Sequence, residues 1–173
     1  MNLLQNANGI QGNTVRGRRS HYIVEERVIN TTRFNFNTTL NTAIKENVSF
    51  TAGANFQSQT NNYYKKLDDL LGGDFYVDIN QFAERDFPTN AAAGQNDLNN
   101  PNRILKEGDK FGYNYDINIK KASVWMQTVF KFRKLDVFVA TEHSYTSFFR
   151  TGNVKSGLFP NNSFGKSKTY QFL

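Results

Sequence analysis

Cysteine is absent from the 173 residues, and its absence excludes a disulfide framework, a thiolate metal site and a cysteine nucleophile. Proline is scarce, at three residues, and glycine stands at 12, so proline-rich and collagen-like chains are excluded as well. No run approaches the ~18 consecutive apolar residues of a transmembrane helix. The opening Met1 to Asn6 has neither the basic region nor the apolar stretch of a secretory signal. Apolar residues make up only 38%, below the roughly 45–50% of an ordinary soluble domain. What is abundant is aromatic: 16 Phe and 8 Tyr, set among Asn, Thr, Gln and Ser. A chain so rich in aromatics has enough apolar mass to order itself, which argues against disorder.

The formal charge is +6, from 21 Lys+Arg against 15 Asp+Glu. Such an excess attracts nucleic acid, anionic lipid or acidic substrate. Along the sequence only Arg16-Gly17-Arg18-Arg19 is a basic cluster, and elsewhere bases mix with acids. That distribution argues against nucleic acid as a partner and fits a solvated loop.

The clearest signal is alternation. Thr32, Phe34, Phe36, Thr38, Leu40, Thr42 and Ile44 share one parity, with Arg33, Asn35, Asn37, Thr39, Asn41 and Ala43 between them. After a turn at 45–47, Val48, Phe50, Ala52, Ala54 and Phe56 alternate with Ser49, Thr51, Gly53, Asn55 and Gln57. Period two puts successive side chains on opposite faces of a sheet, so one face is greasy and the other is amide- and hydroxyl-rich. Phe111, Tyr113, Tyr115, Ile117 and Ile119 begin a second hairpin. Its apolar set then shifts to Ala122, Val124, Met126, Phe130 and Phe132. The shift around Lys120-Lys121 marks either a β-bulge or the level at which a strand leaves a membrane. Arg133-Lys134 is the expected turn. Leu135, Val137, Val139, Thr141 and Tyr145 continue the alternation to about Arg150.

The expected layout is an irregular extracellular loop over 1–19, a first hairpin over 20–66 and a long extracellular loop over 67–109. A second hairpin over 110–151 and a loop with the start of another strand over 152–173 complete it. Each strand exceeds the ~9–11 residues that cross a bilayer. Connections run short, long, short, as in outer-membrane barrels with brief periplasmic turns and long external loops. The fold class is therefore all-β: an open antiparallel meander of about four long strands, a segment of a large transmembrane barrel. Tyr63, Tyr64, Trp125, Tyr145, Phe148 and Phe149 are the candidate interfacial aromatics. Within the long loop, 78–85 has the pattern of a short helix with Asp78 as N-cap.

Motifs for chemistry are few. His21 and His143 lie far apart and lack a serine elbow or metal-ligand spacing. Asp68, Asp69, Asp74, Asp78, Glu84, Asp86, Asp97 and Asp109 crowd the loop without the spacing of a calcium loop. No catalytic residue, metal or cofactor is expected.

The run Asn61-Asn62-Tyr63-Tyr64-Lys65-Lys66-Leu67-Asp68-Asp69-Leu70-Leu71-Gly72-Gly73-Asp74, continuing Phe75-Tyr76-Val77-Asp78-Ile79-Asn80-Gln81-Phe82-Ala83-Glu84-Arg85-Asp86, resembles the first long extracellular loop of TonB-dependent outer-membrane receptors. The closest likeness is to the group with a carboxypeptidase-like regulatory domain ahead of the plug, related to starch-utilisation-type transporters. The stretches from Gly17 to Arg27 and from Lys106 to Tyr115 are similar to it too. The resemblance implies energised uptake of a nutrient, a glycan or a peptide, at the cell outer membrane. It also implies outer-membrane lipid, a plug domain, the TonB complex and a surface lipoprotein as partners. Family members carry about 22 barrel strands, so the chain corresponds to about four early ones and does not transport alone. Loop aromatics and amides, Tyr63, Tyr64, Phe75, Tyr76 and Asn80, are the expected substrate contacts. The competing expectation is a secreted all-β carbohydrate-binding or adhesin module, folding in buffer without a bilayer.

Overall fold

The computed structural model describes residues 4–6 and 15–173. The strands are β1 (Leu4–Asn6), β2 (Arg18–Ser20), β3 (Val24–Lys45), β4 (Val48–Asp69), β5 (Tyr76–Val77), β6 (Ile104–Leu105), β7 (Lys110–Lys131), β8 (Asp136–Gly152), β9 (Gly165–Lys166) and β10 (Tyr170–Phe172), and the helix α1 is Gln81–Asp86. One open antiparallel sheet runs β10-β8-β7-β4-β3, with β9 also paired to β8. No described helix is long and apolar enough to cross a membrane, which says nothing of strands. The irregular segment expected over 1–19 falls mostly on residues outside those described. Of the rest, Leu4–Asn6 pairs antiparallel with Arg18–Ser20.

Contacts divide the chain into two compact units. One, the sheet unit, comprises Thr31–Thr60, Ile117–Phe149 and Lys168–Leu173. Its side chains sort by parity. The rings of Phe34 and Phe56 stand 6.5 Å apart on one face. On the other, Thr51 donates to Asn41 at 2.8 Å and Arg33 to Gln59 at 2.8 Å. A shallow hollow on the apolar face gathers Leu40, Phe50, Ala52, Ala54, Val124 and Met126. Another on the polar face gathers Asn35, Asn37, Asn55, Gln57, Ser123 and Ser144. The apolar face is uncovered: Phe34, Phe36, Leu40, Ile44, Phe56, Val124 and Met126 are 40–60% exposed.

The bulge at Lys120-Lys121 does not form. Asn55 donates to Ser123 and Thr60 to Asn118. The step from Asn55 to Thr60 on β4 is therefore matched residue for residue by that from Asn118 to Ser123 on β7. No extra residue intervenes, and β7 is unbroken. The shift in the sequence is a change in face character, not in register. The face taken by Trp125 follows from its neighbour across the strands. A Cβ on Gly53 would lie 2.6 Å from the Trp125 ring, and Gly53 has the parity of Thr51 and Asn55. Trp125 therefore sits on the polar face, in a space that only glycine leaves open.

The other unit, the loop unit, comprises Asn61–Asp116, Arg150–Ser167 and the described residues up to Asn30. Leu67, Leu70, Tyr76, Leu105 and Phe111 pack as one cluster, joined by Ile23. Phe75, Val77 and Ile79 form a second with Ile104. The long connection has its own small core, and β5 pairs with β6 inside it. The returning segment is tied in by Leu98 N–H to Lys155 O at 2.7 Å and Gly157 N–H to Gln95 O at 2.8 Å. Gly157 is packed tightly against backbone: an added Cβ would fall 1.7 Å from the Ala92 carbonyl oxygen. Because the obstacle is backbone, relief requires moving the chain. Gly157→Ala is expected to destabilise the loop unit by about 1–3 kcal/mol, the usual range for overpacking. Limited proteolysis between 87 and 103 should speed up in the variant relative to the parent chain.

Candidate functional site

The helix Gln81–Asp86 starts two residues later than the sequence suggests. Its N-cap is Asn80, whose Oδ1 accepts from the N–H groups of Phe82 at 3.1 Å and Ala83 at 3.2 Å. Asp78 is instead the buried hub of the loop unit. Its Oδ2 accepts from Arg103 Nη2 at 2.8 Å, and its Oδ1 from Asn96 Nδ2 at 2.9 Å and Gly112 N–H at 3.0 Å. Arg103 also donates to the Lys110 carbonyl. A buried carboxylate needs such partners, since an unpaired buried charge is very costly. The reason for the correction is long-range: the three donors come from positions 96, 103 and 112, which no local capping rule can weigh.

A cleft of about 610 Å³ opens on this unit. Tyr76, Ile79 and Phe111 form its buried floor. Tyr22, Phe82 and Phe159 stand on its lining at 52%, 71% and 61% exposure; the Arg85 guanidinium lies 5.6 Å over the Phe82 ring, and His21 meets Tyr22 edge to face. Asn80, Gln81 and Asn96 add amides. The charges present are largely self-compensated. Lys65 Nζ lies 2.8 Å from Glu25 Oε2 and 5.7 Å from the centroids of Phe111 and Tyr113. The Arg150 guanidinium lies 4.8 Å over the Tyr115 ring and donates to the Ser163 carbonyl at 3.1 Å. Burial pushes the Tyr76 phenol above its ordinary pKa, so it stays a neutral hydroxyl in the floor. Gln81 Nε2 lies 3.5 Å from that hydroxyl and 3.0 Å from the His21 carbonyl it donates to. The cleft thus offers ring faces and neutral hydrogen-bonding groups, which suits a polar ligand with apolar faces.

The five expected contact residues separate. Tyr76 and Asn80 line the cleft. Phe75 is fully buried in the loop core, so it cannot meet a ligand there: its apolar neighbours Val77 and Ile79 take up its ring. Tyr63 is stacked on Tyr115, with centroids 5.1 Å apart and 14° between planes. Tyr64 lies under Lys110 Nζ, 3.9 Å from the ring centroid, and its hydroxyl accepts from Asn30 at 3.3 Å. Neither lines the cleft. Sequence reasoning missed Tyr22 and Phe159, and read Phe82 only as part of the helix. No local signal marks them: Tyr22 lies between His21 and Ile23, Phe82 between Gln81 and Ala83, and Phe159 between Leu158 and Pro160. The acidic residues are likewise scattered among separate partners. Asp74 accepts from Arg18 N–H at 2.7 Å, which lowers its pKa, and Asp97 binds the N–H groups of Asn99 and Lys155. Among the described residues no group of three or more acids and histidines is arranged to hold a metal ion.

No family model matches the chain, and no curated protein and no solved structure matches it.

The hub determines whether the cleft keeps its shape. Asp78→Ala leaves Arg103 without its carboxylate, and removing one member of a buried pair costs ~3–5 kcal/mol. With Arg103 39% exposed, the expected loss is at the low end, about 2–3 kcal/mol after solvent screening. Hydrogen exchange at the Gly112 and Asn80 amides should accelerate in this variant, with exchange in 35–57 unchanged.

Proposed function

We propose that the chain is a wall segment of a TonB-dependent outer-membrane receptor, carrying one of its ligand-facing loop structures. The observation that carries this reading is the uncovered apolar face of the sheet unit. Seven large apolar side chains of β3, β4 and β7 are exposed on one face, backed by amides and hydroxyls on the other. Contiguous exposed apolar surface marks a contact face for lipid or protein, and apolar-out, polar-in alternation is the pattern of a barrel wall. The strands, of 22, 22, 22 and 17 residues, are long enough to span a bilayer and continue beyond it. Tight turns at 46–47 and 133–134 contrast with the folded connection between Asp69 and Lys110, which supports placing the loop unit outside the cell.

The likeness of 61–86 to the first long loop of these receptors supports the family within that class. In the complete receptor, a plug would sit against the amide-rich face and the TonB complex would act through the plug. A surface lipoprotein is the expected external partner. The cleft of the loop unit is then where a nutrient would first be held, by Tyr22, Phe82 and Phe159 ring faces and the Asn80 and Gln81 amides. A glycan or a peptide meets that chemistry. The segment contributes wall and contact surface and performs no covalent step. A secreted soluble module is less well supported, because such a module would have to cover the apolar face of β3, β4 and β7.

A circular dichroism melt with and without detergent separates the two. The wall reading expects β-structure that is ordered only in detergent or lipid. A sharp, cooperative transition at the same temperature in plain buffer would remove it.

A further inference from the structure

Two turns far apart in the sequence meet in the sheet unit. The Lys131 N–H donates to the Asn47 carbonyl at 2.9 Å, and Phe132 N–H to the Leu135 carbonyl at 2.8 Å. This contact joins the turn at Glu46-Asn47 to the turn at Arg133-Lys134. Four bases lie on the joined turns: Lys45, Lys131, Arg133 and Lys134, all exposed. Glu46 and Asp136 are the acids among them, leaving an excess of two positive charges at one end of the unit. None of the four bases is in an ion pair with a described residue. This contrasts with the bases at the start of the same hairpin, where Lys65 and Lys66 pair with Glu25 and Glu26. Beside the bases, Ile44, Phe132 and Leu135 are exposed at 60%, 57% and 61%.

We infer that the joined turns form a docking surface for anionic phospholipid headgroups, a site that rests on the wall reading above. Exposed apolar side chains next to cationic ones match a membrane interface: the former enter the acyl boundary, and the latter reach phosphates. Two features specify phospholipid as the occupant. The first is charge complementarity: the four bases outnumber Glu46 and Asp136 by two and make no ion pair with a described residue, so they can bind phosphate oxygens. The second is continuity, since Ile44, Phe132 and Leu135 extend the exposed apolar face toward the same end. In a barrel the short turns face the periplasm, so these bases lie level with the headgroups of that leaflet. The site acts as an anchor, setting how deep the β3-β4 and β7-β8 hairpins sit and resisting vertical slip. A base close to an anionic surface contributes roughly a five-fold gain in partition.

The test uses the full chain and vesicles of phosphatidylcholine, with or without phosphatidylglycerol, in a flotation assay at low and high salt. The expected result is binding to both compositions, tightened by phosphatidylglycerol on the order of 25-fold, about five-fold for each of the two excess charges, and reduced by salt. The variant Lys45→Gln/Lys131→Gln/Arg133→Gln/Lys134→Gln should lose that increment and keep the binding to phosphatidylcholine alone. A control, Lys120→Gln/Lys121→Gln, should keep the increment. The proposal is overturned if the four-fold variant retains it, or if the control loses it equally, which would leave net charge alone as the cause. Absence of binding to phosphatidylcholine counts instead against the wall reading, and the two failures are read from different vesicles.

Discussion

The pleat gives a strand residue only two directions in which to point, and β3, β4 and β7 commit one of them to exposed apolar side chains. That commitment constrains everything else in the sheet unit. It requires a register that keeps Phe34 beside Phe56 and Asn41 beside Thr51, because a slip by one residue would turn each set to the other face. It requires tight turns, which Glu46-Asn47 and Arg133-Lys134 supply. It also requires glycine at position 53, since Trp125 lies on the crowded polar face at that level. An antiparallel sheet of this kind still has outer strands, β3 and β10, whose unpaired backbone groups no bilayer interior would tolerate. Closure with further strands is the physical remedy that the proposed wall would require.

The loop unit follows a different logic. Its core is small, and its shape is held by polar links between distant positions, above all the carboxylate of Asp78. One acid accepts hydrogen bonds from Arg103, Asn96 and Gly112, and so connects the chain before α1, the turn-rich segment after it and the beginning of β7. The helix is too short to be stable on its own and takes its place from Asn80 and the Gly94 carbonyl, which accepts the Asn80 N–H at 2.7 Å. The cleft exists because these links leave Tyr22, Phe82 and Phe159 without packing partners deep enough to bury them. The hub carboxylate and the exposed rings are thus different residues: Asp78 ties the loop together, while Tyr22, Phe82 and Phe159 remain on its surface.

These two units also differ in how far residues alone foretold them. The hairpins were readable, because period-two patterning and turn position are local properties that survive into the fold. Arg33 faces Gln59 and Phe34 faces Phe56, as shared parity requires. Of the two causes offered for the shift at Lys120-Lys121, the bulge is the one that fails: the apolar residues change face while the backbone keeps step. The loop was readable only as a folded loop. Phe75 looked like an exposed contact and is core; Asp78 looked like a cap and is the hub. Asp78 is drawn in by partners at 96, 103 and 112, remote in sequence, and Phe75 by Val77 and Ile79 together with the remote Ile104. The cleft needs residues from 21–25, 76–82, 111–113 and 150–163 together, and no single stretch contains its pattern.

The central claim is that the apolar face of the sheet unit meets lipid and the amide face meets water. The absence of native cysteine makes it directly measurable, since a single introduced cysteine can carry a nitroxide label at any chosen position. Labels at Phe36, Leu40 and Phe56, and at Asn37, Asn41 and Gln57, would be compared in bilayers for collision with oxygen and with a water-soluble nickel chelate. Alternating accessibility is the result the account predicts, with oxygen favoured at the first three and nickel at the second three. Equal nickel access at both sets, with no period of two, would contradict it.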